Sequence, residues 1–237
     1  MKTETVSYSH AGVDCRAHLA YDDNKKGRRP AVLVSHAWAG RDEFACDKAG
    51  ALARLGYAGV ALDNYGGARL GKSKDENMKL MMPFIEDRKL LLGRLTAGFE
   101  AARALPQVDP EKIGVIGYCF GGLCALDLAR GGAALRGAVS FHGLLGSPEG
   151  LPKRKIAAKL LVLHGYADPM SNPEQLAAFC KEMDEAKADW QVHAYGGVLH
   201  AFTNPSANDP GFGTVYDKKS DARSWAAMRN FFEEAFR

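Results

Sequence analysis

Three residues could carry nucleophilic chemistry if the fold brought them together: Cys119, Asp168 and His200. A thiol attacks a carbonyl as the thiolate, so it needs a base to take its proton, and the base needs an acceptor that holds its tautomer. Cys119 stands in Gly117-Tyr118-Cys119-Phe120-Gly121, where a strand-like run, Lys112-Ile113-Gly114-Val115-Ile116, passes at once into helical pattern. A nucleophile between two glycines at such a junction is forced into a strained turn that only small flanking residues permit. Its sulfur then projects above the carboxyl end of a sheet, and the new helix aims free N–H groups and positive partial charge at it, favouring thiolate. Cys124 lies further along the same helix and reads as core, and Cys15, Cys46 and Cys180 also read as structural.

The acid and the base are sought after later strands. The run Leu160–His164 ends in Gly165-Tyr166-Ala167-Asp168-Pro169, and Gln191–Tyr195 runs into Gly196-Gly197-Val198-Leu199-His200-Ala201-Phe202. Both loops fall at the same sheet edge as Cys119. An Asp before Pro also serves as a helix cap or turn former. Of the other six histidines, His10, His18 and His193 read as strand or turn surface and His164 as a strand end, so only His200 lies in a loop after the last strand. The roles expected are therefore Cys119 as nucleophile, His200 as base and Asp168 as its orienting partner. The oxyanion donors are expected to be the backbone N–H of Phe120 and one from the loop Ser35–Gly40, at Trp38 or else Ala37. His36, Tyr118, His142 and Phe202, near strand ends at this edge, are expected to line the substrate pocket, although packing alone also accounts for each.

The elements that must position these residues alternate short β-branched runs with helical stretches, the pattern of a sheet covered on both faces. Thr3–Ser9 and Val13–Tyr21 read as an antiparallel hairpin, Ala31–Val34 as a buried parallel strand, and Tyr57–Leu62 as its neighbour after a helix over 42–55. The glycine-rich stretch 63–71 precedes helical pattern over 75–105, with breaks expected near Pro83 and Gly93. Gly137–Phe141 is a further strand, Pro173–Lys187 a helix, and Ser220–Phe236 the closing helix. The loops 64–79 and 142–154 are expected to shape the pocket.

At these motifs the sequence resembles the dienelactone hydrolase family of the α/β-hydrolase superfamily, in which G-x-C-x-G, G-x-x-D and G-x-x-H-x-F loops carry a Cys, Asp and His triad. The matching residues are Gly117, Cys119 and Gly121, then Gly165 and Asp168, then Gly197, His200 and Phe202. The order nucleophile, acid, histidine is that of the superfamily. The resemblance runs over essentially the whole chain, read as a single domain, 1–237. It implies an α/β-hydrolase fold: a doubly wound, mostly parallel sheet of about eight strands with helices on both faces. It also implies hydrolysis of small esters or lactones through an acyl-thioester, in the cytoplasm, without metal or cofactor. Two positions depart from the dienelactone-cleaving pattern. Ala37 stands where a glutamate contacts the resting thiol, and Asn204 where an arginine holds the substrate carboxylate. Arg69, Lys72 and Lys79 remain as candidates to hold an anion. A thioesterase or short-peptide hydrolase on the same fold, and a non-catalytic binding or sensing protein with a reactive cysteine, are the competing readings.

Composition narrows the partners. With 46% hydrophobic and 25% charged residues, and 31 basic against 28 acidic side chains, the chain marks neither a nucleic-acid surface nor an acidic-lipid surface. Five cysteines without a CxxC pair argue against a disulfide framework or a zinc knuckle and fit a reducing compartment. The N-terminal segment lacks the charge and apolar pattern of a signal peptide, and no apolar run is long enough for a membrane helix. The expected partner is a small-molecule ester or lactone.

Overall fold

The computed structural model describes residues 1–151 and 154–237, so Pro152 and Lys153 of the 142–154 loop lie outside the described residues. The chain opens with β1 (Lys2–His10) and β2 (Val13–Tyr21), joined by Ala11 and Gly12 at φ 51° and 74°. Two successive positive φ values make the turn whose twist matches a hairpin. Then follow β3 (Arg29–Ser35), α1 (Glu43–Arg54), β4 (Ala58–Ala61), α2 (Lys74–Glu86) and α3 (Arg88–Arg103). After these come β5 (Val108–Tyr118), α4 (Phe120–Arg130), β6 (Gly137–Phe141), β7 (Lys159–Gly165), α5 (Pro173–Glu185) and β8 (Trp190–Tyr195). A two-stranded strap, β9 (Asn208–Asp209) with β10 (Thr214–Val215), and the long α6 (Lys218–Ala235) complete the chain.

The eight long strands form one sheet in the order β1-β2-β4-β3-β5-β6-β7-β8. β1, β2 and β4 pair antiparallel, and every neighbour from β4 to β8 is parallel. This is the α/β-hydrolase architecture that the family resemblance implied. The chain steps outward from β3 to β4 and then returns to place β5 on β3's other side. The loops leaving β3 and β5 therefore diverge, and a crevice opens at their carboxyl ends. Ser35 of β3 is opposite Gly117 of β5, which puts the loop Ser35–Gly40 beside Cys119.

Successive strand residues alternate between two cores. Val32, Val34, Ile116 and Phe141 face α1 and α6 through Ala45, Leu52, Met228 and Phe232. Leu33, Val115 and Leu160 face α3, α4 and α5 through Leu95, Phe99, Leu123 and Phe179. No helix is long and apolar enough to cross a membrane among the described residues.

Two local expectations are corrected. The helical stretch over 75–105 breaks at Asp87, not at Pro83 or Gly93: Pro83 sits in the last turn of α2, and Asp87 caps α3 by accepting from Leu90 N–H at 2.8 Å. Gly93 lies inside α3 because the His10 ring packs onto its Cα, where a methyl group would collide. The strap β9–β10 carries too few strand-forming residues to be read as an element; its pairing depends on contacts with the loop around His200.

The close approach at the crevice gives a direct test. A methyl group on Gly121 would run into the backbone oxygens of Ser35 and His36, whereas one on the exposed Gly146 would meet nothing within 4 Å. In urea denaturation, Gly121→Ala should lose about 3 kcal/mol or more, and Gly146→Ala should change stability by less than about 0.5 kcal/mol.

Candidate active site

Cys119 links β5 to α4 at φ 56°, ψ −118°, a conformation rare for a residue with a side chain. Its N–H is shared between Phe141 O at 3.1 Å and His142 Nδ1 at 3.2 Å, and its carbonyl accepts from Gly122 N–H at 2.9 Å. The turn closes because Gly117 and Gly121 bring β5, α4 and the end of β3 together with no room for a Cβ at either position. The sulfur is left partly exposed at the start of α4.

Asp168 and His200 arrive from β7 and β8. A Cβ on Gly165 would lie 2.6 Å from Val198 O, so this glycine lets the loop after β8 settle against the loop after β7. His200 Nδ1 meets Asp168 Oδ2 at 2.6 Å, and Asp168 Oδ1 accepts from Met170 N–H at 2.8 Å. Both side chains are buried. The carboxylate is the obligatory acceptor, so Nδ1 carries the hydrogen and Nε2 faces Cys119. Nε2 has no well-formed hydrogen bond, yet the sulfur is near enough for the two charges to couple. The peptide of His200 is fastened on both sides to the strap, through its N–H to Gly213 O at 2.9 Å and its carbonyl to Val215 N–H at 3.1 Å.

Opposing effects set the charge state. Burial pushes the Cys119 thiol up, but the His200 charge, together with the backbone amides of Phe120 and Trp38, outweighs it and holds the thiol below its usual range. Burial disfavours the His200 imidazolium, but the Cys119 charge and the Asp168 hydrogen bond reverse that and raise it to about 10. Both shifts favour the thiolate and imidazolium pair over the neutral pair.

The remaining sequence-selected residues are placed less as expected. His36 is buried and satisfied, donating from Nδ1 to Ala37 O at 2.7 Å and accepting at Nε2 from Asn64 N–H at 3.2 Å; burial pushes it down to about 4. It ties the loop after β3 to the loop after β4, so it supports the site from behind. His142, at φ 40°, accepts the Cys119 N–H at Nδ1 and therefore donates from Nε2 to Thr203 Oγ1 at 2.8 Å. Burial, then the His200 charge, keep it well below its usual range, so it stays neutral beside the His200 ring. Tyr118 and Phe202 are fully buried, the first between Phe141 and Phe44, the second against His142 and Tyr195, so neither ring reaches the pocket surface. Trp38 is half-buried with its carbonyl accepting from Tyr65 Oη–H at 2.9 Å, and Ala37 beside it adds no acid to the site.

Several residues at the site carry no signal readable in isolation. Thr203 matters only because His142 reaches it. Asp63 and Asn64, a polar pair directly after a strand, could have been noticed: Asp63 accepts from the N–H groups of Arg16, Gly66 and Ala68, and Asn64 donates to Ser35 Oγ at 2.7 Å. Among the described residues no group of three or more His, Cys, Asp or Glu is placed to hold a metal ion. A cavity of about 610 Å³ between Lys89, Arg130, Arg154 and Glu182 is lined by none of the sequence-selected residues.

The sequence profile of the dienelactone hydrolase family matches residues 15–236. The chain belongs to that family. A solved dienelactone hydrolase-like promiscuous phosphotriesterase from metagenomic libraries is 36% identical with a TM-score of 0.93, covering 100% of this chain and 99% of its own. A putative carboxymethylenebutenolidase of Aquifex aeolicus is 28% identical over 97% of both chains. A probable 2-oxo-3-(5-oxofuran-2-ylidene)propanoate lactonase of a Bradyrhizobium species is 28% identical over 85% of this chain and 86% of its own. As a dienelactone hydrolase family member, the protein is a hydrolase of ester bonds.

The electrostatics of this family member predict the reactivity of its thiol. Protonation removes the nucleophile, so alkylation of Cys119 should fall only when pH drops through the lowered thiol pKa. Iodoacetamide labelling of Cys119, read by peptide mass spectrometry, should therefore persist to lower pH than that of an ordinary thiol. His200→Ala removes the charge that favours thiolate and should slow labelling at pH 7 by about tenfold or more.

Proposed function

We propose that the protein hydrolyses small esters or lactones through a Cys119, His200 and Asp168 triad with an acyl-thioester intermediate, the whole chain working as one domain. The observation that carries the proposal is the His200 to Asp168 hydrogen bond of 2.6 Å beside a thiol held acidic by His200 and two backbone amides. The thiolate attacks the carbonyl carbon and a C–S bond forms. The oxyanion that develops falls to the amides of Phe120 and Trp38, which already favour negative charge at the sulfur. The C–O bond to the alcohol then breaks, and His200 Nε2 gives its proton to the departing oxygen. Water next attacks the thioester, passing a proton to the now neutral His200; the C–S bond breaks, the carboxylic acid leaves, and the thiolate and imidazolium return. Asp168 keeps Nδ1 as donor throughout and stabilises the imidazolium.

The substrate differs from that of dienelactone-cleaving relatives. Asn204 donates its N–H to Ala201 O and accepts at Oδ1 from Ser206 N–H at 3.0 Å, so it offers a carboxylate no charge. The Arg69 guanidinium donates to the carbonyls of Tyr65 and Gly66, and Lys72 and Lys79 are exposed. Uncharged esters suit such a site. A neutral phosphotriester is a second substrate on the same thiolate, favoured by the end-to-end likeness to a promiscuous phosphotriesterase. Five free cysteines, one of them reactive, suit a reducing compartment such as the cytoplasm.

The test is hydrolysis of 4-nitrophenyl acetate. Cys119→Ala and His200→Ala should each lower kcat/KM by about 10³-fold or more, and the double variant should lose little beyond either single change. Asp168→Asn should cost about 10²-fold or more. Rapid quench of the wild type should show the acyl mass on the peptide containing Cys119. Equal turnover by wild type and Cys119→Ala would sink the triad.

A further inference from the structure

The wall of the site formed by the loop after β3 is aromatic and partly open. The Trp38 indole stacks on Phe212, ring centroids 5.7 Å apart and planes inclined by 22°. Phe212 is 36% exposed, and Leu70, which bridges to Gly40 two residues past Trp38, is 48% exposed. Open apolar side chains beside a reactive group mark a binding site.

Phe212 is held in place from three directions. Lys74 Nζ lies 4.4 Å from its ring centroid and pairs with Asp209 Oδ2 at 2.7 Å. Asp209 Oδ1 accepts from Phe212 N–H at 3.0 Å. The residues that follow, Gly213 and Val215, hold both sides of the His200 peptide. The aromatic pair thus spans the loop whose amide acts on the Cys119 sulfur and the strap that fixes His200. Two nearby cations are already engaged, Lys74 with Asp209 and the Phe212 ring, Arg69 with two backbone carbonyls.

We propose that Trp38 and Phe212 form the binding wall for the apolar or aromatic part of an uncharged ester, and that Phe212 sets this preference. This rests on the Cys119, His200 and Asp168 reading. It adds what that reading leaves open: the aryl or alkyl portion of the substrate lies against these two rings.

Three 4-nitrophenyl esters with one leaving group, the phenylacetate, the acetate and the hemisuccinate, test it in the full-length protein. Wild type should favour the phenylacetate over the hemisuccinate by about tenfold or more in kcat/KM. Phe212→Ala should reduce the phenylacetate-to-acetate ratio by about five- to tenfold, chiefly through KM, as expected for loss of a ring contact. Phe212→Tyr, which keeps the ring, should restore the ratio, and Phe212→Leu should fall between. Equal losses on all three esters would reduce Phe212 to a part of the strap and overturn the proposal, as would a wild-type preference for the hemisuccinate. The ratio is read within one protein, so it stays informative if Cys119→Ala proves fully active, an outcome that would overturn the nucleophile assignment instead.

Discussion

A cysteine backbone at φ 56° stands between a strand and a helix, and the rest of the site depends on it. Such a backbone costs on the order of 1–3 kcal/mol and persists only where its surroundings over-determine it. Here they do. The Cys119 N–H is held by Phe141 O and His142 Nδ1, its carbonyl by the first turn of α4, and the flanks touch through glycines that leave no space for a side chain. Relaxing the turn would cost the packing of β3, β5 and α4 together.

The same turn decides the electrostatics. It sets the sulfur at the start of α4, within reach of the Phe120 amide, and the β3 to β5 register brings the Trp38 amide to it from the other side. Burial alone would make the thiol a poor acid. Two amides and the His200 charge overcome that burial, and Asp168 in turn holds His200 in the tautomer that can receive a proton. His142 completes the arrangement without adding charge. Its two ring nitrogens are both engaged, one by the Cys119 N–H and the other by Thr203, so a neutral imidazole packs beside the His200 ring.

Much of the frame was legible because alternation, glycine position and strand length are local properties. The strand Val13–Tyr21 of the hairpin and the strand Gly137–Phe141 fall where the pattern put them. The break over 75–105 was misplaced because Asp87 caps α3 through its side chain, a stronger stop than a proline already in a last turn, and because Gly93 answers to His10, which is distant in sequence. Among the site residues, His36 and Tyr118 lie at strand ends and Phe202 in the loop after β8, but such a position has two faces and an interior. Whether a ring there meets solvent depends on what packs over it.

The sequence by itself determined the order of the candidate residues along the chain: a cysteine between glycines at a strand-to-helix junction, an acid after one later strand, a histidine after the next. It also determined the parallel sheet that collects those three loops at one edge, since β-branched runs alternating with helices bury both faces of a sheet. Only the tertiary structure decided how the site is furnished. That Phe212 stacks on Trp38, that Lys74 crosses to Asp209, and that Arg69 spends its guanidinium on nearby carbonyls are outcomes of loop packing. Loops carry no period, and their conformations follow from contacts between segments more than a hundred residues apart, such as Lys74 and Asp209.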